Sequence, residues 1–167
     1  MVVKANAPWL SPEACRWAAI IQASHCRAFG RSLLASQPPE AIGAASAAQG
    51  LFATSSPVLA HDGSSDPALV YANAAALRLW DRPWPEMVGM PSRLTAAEQE
   101  RKERANALQS AQQCDACQGY RGIRIDRQGR QFVINNARIW TLWDEQGSRC
   151  GQAASFSSWW WIDAAKA

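Results

Sequence analysis

A chain of 167 residues suits one domain with a sizeable core. Hydrophobic residues make up 48% and charged residues 19%, and the formal net charge of +3 is too small to point to nucleic acid. No stretch approaches the ~18 apolar residues of a membrane-spanning helix, and MVVKANAPWLSPE holds no apolar run of signal-peptide length, so the expected placement is cytoplasmic with the five cysteines reduced.

Ser11-Pro12-Glu13 opens the first element with a capping serine, a first-turn proline and a first-turn acid. Trp17, Ile20, Ile21, Ala28 and Phe29 then recur at helical spacing and predict a helix from Pro12 to about Leu34. Such a helix either covers the domain's own sheet or forms a dimer seam. Pro38-Pro39 breaks it, and the Ala-rich run from Glu40 to Phe52 predicts a second helix, weakened by Gly43 and Gly50. Residues 1–56 thus read as a helical extension packed on a sheet domain at 57–167.

Pro57 to His61 is a short apolar strand, and residues 62–66 form a turn cluster. Ala68 to Ala72 reads as the second strand. Asn73 follows, a good N-cap because its amide oxygen accepts from the free N–H groups that open a helix, and Ala74 to Leu79 favour that helix. Arg82-Pro83-Trp84-Pro85 ends it, and Glu86 to Gly89 is one further turn. Thr95-Ala96-Ala97-Glu98 has capping-box spacing and predicts a largely solvated helix to about Gln113. Glu98–Lys102 and Glu100–Arg104 would each add ~0.3 kcal/mol on that helix.

The last third reads as three antiparallel strands. Ile123 and Ile125 alternate with Arg124 and Asp126, and Asp126-Arg127-Gln128-Gly129 makes a hairpin turn. From Arg130 to Trp143 the period is two: Phe132, Ile134, Trp140 and Leu142 fall on one face, Val133, Ala137, Ile139 and Trp143 on the other. A strand apolar on both faces is expected to be central and covered on both sides. Asp144-Glu145-Gln146-Gly147 turns the chain into a third strand, Arg149 to Trp161. Its Trp159-Trp160-Trp161 puts indoles on both faces, so at least one should meet a helix or a second chain. The order of two strands, helices, then three strands predicts an α+β domain with a five-stranded antiparallel sheet, flanking helices and an N-terminal helical extension.

Several pieces together carry a resemblance. The junction Tyr71-Ala72-Asn73 with Ala75-Ala76-Leu77 looks like the second strand and first helix of a PAS domain. Pro91-Ser92-Arg93, the run 119–125, Gly129-Arg130-Gln131-Phe132, Trp140 and Gly151-Gln152-Ala153-Ala154 narrow it. In this order and spacing they resemble the MEKHLA family, a PAS-related domain found alone in bacteria and at the C-terminus of plant homeodomain–leucine-zipper proteins. The resemblance covers about Ser11 to Trp161. It implies a PAS-like sheet and a non-enzymatic sensory or regulatory module that binds a small molecule or a protein partner between sheet and helices. It also implies a homodimer, since PAS-like sheets and their flanking helices often associate; the small net charge and the lack of a membrane-length apolar run leave no nucleic-acid or membrane partner expected. Photochemical flavin and haem are disfavoured, because 84–93 has no cysteine and 95–113 no histidine.

On this plan the candidate ligand contacts are His61, Tyr71, Asn73, Trp80, Arg93, Phe132, Trp140, Gln152 and Phe156. The aromatic rings would wall the pocket, and polar groups such as Gln152 would orient a ligand among them. Asn135, Asn136 and Arg138 are polar residues inside the sheet that each need a partner if covered. His61 is either a turn histidine bonded to backbone or a ligand contact; Arg93 either ties its loop to a carboxylate or meets an anion. Cys114-Asp115-Ala116-Cys117 has metal-ligand or redox spacing, but no second close pair of ligands accompanies it, and two incidental thiols are the favoured reading. G-x-S-x-G, a Gly-rich phosphate loop and H-E-x-x-H are absent. An enzyme using His61, Arg93 or the cysteine pair, and a pure protein-interaction scaffold, are the competing readings.

Overall fold

The capping serine decides where the chain becomes regular. In the computed structural model, which describes residues 7–34 and 43–162, Ser11 Oγ accepts from Ala14 N at 3.1 Å and helix α1 runs Pro12–Phe29. It stops short of Leu34 because Gly30 takes a left-handed φ of 69° and returns its N–H to Cys26 O. Helix α2 spans Ala44–Ala53; the Pro38-Pro39 break and the expected start at Glu40 lie outside the described residues. Then come β1 (Val58–Asp62), β2 (Leu69–Ala72), α3 (Ala74–Trp80), the single turn α4 (Trp84–Met87), α5 (Arg101–Cys114), β3 (Ala116–Ile125), β4 (Gln131–Trp143), β5 (Arg149–Ser155) and β6 (Ser158–Trp161).

The sheet is antiparallel in the order β2-β1-β5-β4-β3, and β6 pairs with β4. The five-stranded plan holds with one correction. The expected strand from Arg149 to Trp161 breaks at Phe156-Ser157. Its first part pairs with residues 138–143 of β4 and its second with 132–135. Both hairpin turns form as read. Asp126 Oδ1 accepts from Gln128 N and Arg130 N, Asp144 Oδ1 from Gln146 N and Ser148 N, and Gly129 and Gly147 take φ of 81° and 77°.

Each face of the sheet has its own cover. Helices α1 and α2 lie over one face, where Trp17, Ile21, Leu51, Tyr71, Trp140 and Leu142 form a buried cluster. Helix α3 and the following turn lie over the other, where Leu69, Leu79, Trp80, Met87, Phe132 and Ile134 cluster. β4 is interior, flanked by β3 on one edge and β5 and β6 on the other.

The face assignments along β4 need correcting. Phe132, Ile134 and Ala137 share one cluster, while Trp140 and Leu142 belong to the opposite one. The cause is Asn136, held at a φ of 53°. Tyr120 pairs with Ala137 and Gly122 with Ile134, so β4 carries one residue more than β3 over that interval. An extra residue in one strand shifts every later side chain to the other face. The same device acts on β2. His61 pairs with Leu69 and Ala60 with Tyr71, leaving Val70 extra, and Leu69 and Tyr71 enter opposite clusters.

The expected capping box does not form. Thr95 is buried in a 3-10 turn, Ser92–Thr95, where its hydroxyl donates to Ser92 O at 2.7 Å. A second 3-10 turn, Glu98–Glu100, precedes the helix, so Glu98 and Glu100 lie ahead of it, and Arg104 turns inward. The rest of α5 is mostly exposed, as expected.

Arg138 finds its partner on the helix that covers its face of the sheet. His25, fully buried on α1, accepts at Nε2 from Arg138 Nη1 at 2.8 Å, and its Nδ1–H donates to Arg31 O at 3.0 Å. Burial, reinforced by the Arg138 guanidinium, pulls the imidazole pKa from 6.5 down to about 4. The unfolded chain therefore binds the proton more readily. The stability that the neutral ring contributes is complete above pH 6.5 and is lost as the pH falls toward about 4. At ~1.4 kcal/mol per pH unit the loss reaches about 3 kcal/mol. His61, whose pKa is also lowered by burial, adds a slope of the same sign. Urea unfolding of His25→Gln across this range should show a flatter profile than the parent; an unchanged slope would mean that His25 is not held neutral.

Candidate functional site

Between the α3-covered face of the sheet and the inner side of α5 the core is not filled. A cavity of about 50 Å³ remains there. The apolar part of its wall comes from Leu59 and Leu69 on β1 and β2, Trp80 on α3, Leu108 on α5, and Ile139 and Phe156. Trp80 is anchored by its indole N–H, which donates to Thr95 O at 3.2 Å, and Phe132 packs behind it with ring centroids 5.0 Å apart.

The polar part is cationic. Arg104 on α5 donates to Ser92 Oγ at 2.8 Å. Arg124 on β3 is only 7% exposed; it donates to Ile123 O at 2.9 Å and to Tyr120 Oη at 3.2 Å. Both line the cavity, together with His61, Tyr120 and Gln152, and no Asp or Glu does so among the described residues. Burial, then the neighbouring Arg124 charge, lowers the Arg104 pKa to about 10. His61 is 8% exposed; its Nδ1–H donates to Asp62 O at 2.8 Å, while Nε2 is buried without a hydrogen-bond partner. Gln152 Nε2 donates to Leu108 O at 2.8 Å and so ties α5 to β5. A more open hollow of about 250 Å³ shares His61 and Gln152 with the cavity and is rimmed by Asp62, Ser64, Thr141 and Arg149.

Of the residues singled out in the sequence, His61, Trp80, Gln152 and Phe156 meet at this cavity. Phe132 stands one layer behind. Tyr71 and Trp140 lie on the opposite face under α1, a consequence of the two extra residues in β2 and β4. Asn73 is fully buried but works on the backbone. Its Oδ1 accepts from Ala76 N and Val58 N, and its Nδ2 lies 2.8 Å from Ser56 O, 3.3 Å from Leu51 O and 3.5 Å from Thr54 O. Arg93 ties its loop to the Asp66 carboxylate at 3.2 Å on the exposed surface. Cys114 is exposed at the end of α5 and Cys117 lies in β3. Among the described residues no three His, Cys, Asp or Glu side chains come together as a metal site would require.

Arg104 and Arg124 are the site residues that sequence reading passes over. Arg124 sits between Ile123 and Ile125, and an alternating strand is read with its isoleucines inward. The reverse holds: Arg124 is buried and both isoleucines are half-exposed. A signal was present in Tyr120-x-Gly122-x-Arg124, where the missing side chain at 122 leaves room for its neighbours. A Cβ there would meet Tyr120 Oη and lie 2.9 Å from Arg124 Nη1.

The MEKHLA domain model matches residues 15–161. No curated protein matches the sequence. Among solved structures the chain is similar to the PAS domain of a protein from Colwellia psychrerythraea, at TM-score 0.59 and 12% identity over 66% of this chain and 92% of that one. It is also similar to an RNA-binding light-oxygen-voltage receptor, at TM-score 0.61 and 20% identity over 74% of this chain but only 36% of the receptor. The light-state dimer of the fungal blue-light photoreceptor Vivid is a third, at TM-score 0.51 and 19% identity over 63% and 78%. Among the described residues no helix is long and apolar enough to cross a membrane.

Proposed function

We infer the function from one premise: the chain belongs to the MEKHLA domain family, a PAS-like sensory family. In this reading the domain is a regulatory module without catalysis of its own. It recognises a small molecule in the cavity under α5 and answers through the position of that helix. One observation carries the reading: the sheet face under α5 keeps a hollow whose lining includes a buried imidazole nitrogen, His61 Nε2, without a hydrogen-bond partner. Such groups cost free energy when unpaired and are retained where a ligand meets them.

The size of the hollow limits the ligand. An apolar cavity that admits one benzene ring measures about 150 Å³; this one is about 50 Å³. A molecule of a few atoms suits it, and a fused three-ring cofactor such as a flavin does not without displacement of α5.

The module is further proposed to work as a cytoplasmic homodimer. Trp159 and Trp161 pack on Phe132 and Trp160 lies under the Arg121 guanidinium, yet each indole stays more than a third exposed beside Ile162. Exposed indoles of this kind suit a protein interface. The same indoles favour the scaffold as second reading.

A native mass spectrum of protein purified without added ligands tests these readings together. A dimer mass carrying a stoichiometric small molecule, unchanged after hours of incubation, is the expected result. Turnover of the molecule would replace the sensor by an enzyme. An empty chain that also ignores a metabolite panel would leave the scaffold.

A further inference from the structure

The cavity wall carries positive charge with no counter-charge. Arg104 and Arg124 each use part of their donor set on neutral oxygens, and neither forms an ion pair among the described residues. Arg124 is buried and Arg104 half-buried, and a guanidinium held out of water without an anion is costly, the more so with a second cation nearby. Tyr120 Oη accepts from Arg124 and offsets only part of that cost. His61 supplies the complementary function: with its Nδ1–H committed to Asp62 O, the neutral ring leaves Nε2 as an acceptor awaiting a donor.

From this donor and acceptor set we propose that the cavity binds a short hydroxycarboxylate of two or three carbons. Its carboxylate is held by Arg104 and Arg124, its hydroxyl donates to His61 Nε2, and its carbons rest against Trp80 and Phe156. The planar forks of two guanidiniums match a carboxylate. An amino acid fits poorly, because its ammonium would face two guanidiniums. An acid of five or six heavy atoms is as large as the ring that fills about 150 Å³, so it enters this cavity of about 50 Å³ only with outward movement of α5, and a chain beyond three carbons is excluded. The proposal rests on the small-molecule reading above and names the class of its ligand.

Calorimetry and thermal unfolding with glycolate, lactate, acetate, propionate, lactamide and inorganic phosphate test it. Glycolate or lactate should bind and raise the melting temperature. The plain acids should bind less tightly, and lactamide and phosphate should leave the protein unchanged. Arg124→Met and Arg104→Met should each weaken hydroxyacid binding by about 10- to 100-fold, the loss of a charge-assisted hydrogen bond. His61→Phe should remove the preference of lactate over propionate. The ligand-free arginine variants give an independent readout. If the arginines serve a ligand, removing an uncompensated buried charge leaves the free protein as stable as before or more so. If they serve the fold, both variants melt lower and the proposal falls. It also falls if phosphate or lactamide binds as well as lactate. If no acid binds while a neutral compound is recovered from the purified protein, the anion assignment fails and the sensor reading survives; with neither, both fail.

Discussion

Asn73→Ala should lower the free energy of unfolding by about 3–4 kcal/mol, and with it the melting temperature by roughly 10 °C for a chain of this size. The side chain is fully buried and serves three segments at once. Its Oδ1 caps α3 at Ala76 N, 3.1 Å away, and accepts from Val58 N at 2.9 Å, which anchors the start of β1. Its two N–H groups face the Leu51, Thr54 and Ser56 carbonyls at the end of α2, so at most two of the three are satisfied at a time, with Thr54 the longest at 3.5 Å. Losing the cap alone costs about 1 kcal/mol. Each further buried group left without a partner adds about 1–3 kcal/mol. Asn73→Asp separates the two halves of the role. It keeps the acceptor for Ala76 and Val58 but sets a carboxylate oxygen against the carbonyls, so it should be no more stable than the alanine variant. Urea titrations followed by circular dichroism measure both. An aspartate variant of parental stability would show that the amide N–H groups contribute nothing.

Trp140→Ala should cost about 3–5 kcal/mol and leave recognition in the cavity intact. The indole is fully buried between β4 and α1; its N–H donates to Ile21 O at 3.2 Å, and its ring meets His25 and Phe29 edge-on at 4.9 and 6.0 Å. The plain two-residue period of β4 makes the opposite forecast, in which alanine at 140 acts on affinity more than on stability. Trp80→Ala, whose ring lines the cavity, supplies the comparison. Loss of small-molecule binding should follow the change at 80, and loss of the α1 packing the change at 140. Full stability of Trp140→Ala together with lost binding would put that indole on the wrong side of the sheet.

These two side chains mark how much was legible. Asn73 was readable as a cap because a cap depends on the N–H groups two or three residues along the same chain. Its contacts to Leu51 and Ser56 were not, since they depend on how α2 returns to the sheet. Ser11, the Asp126 and Asp144 turns and the order of strands were readable for the same local reason. Thr95 had the right spacing for a capping box, yet burial of its hydroxyl against Ser92 O overrode the pattern.

The sequence by itself determined the α+β class, the PAS-like order of elements and the turns that connect them, because each is written in short-range periodicity and side-chain-to-backbone bonding. Which strand residues face which layer was decided only in the tertiary structure. Val70 and Asn136 each insert one residue against a partner strand, and a single insertion moves Tyr71 and Trp140 away from the cavity. The covering helix then decides what the remaining face becomes. Arg104 and Arg124 converge beneath α5 from distant parts of the chain, and no local pattern records that two cations will share one hollow.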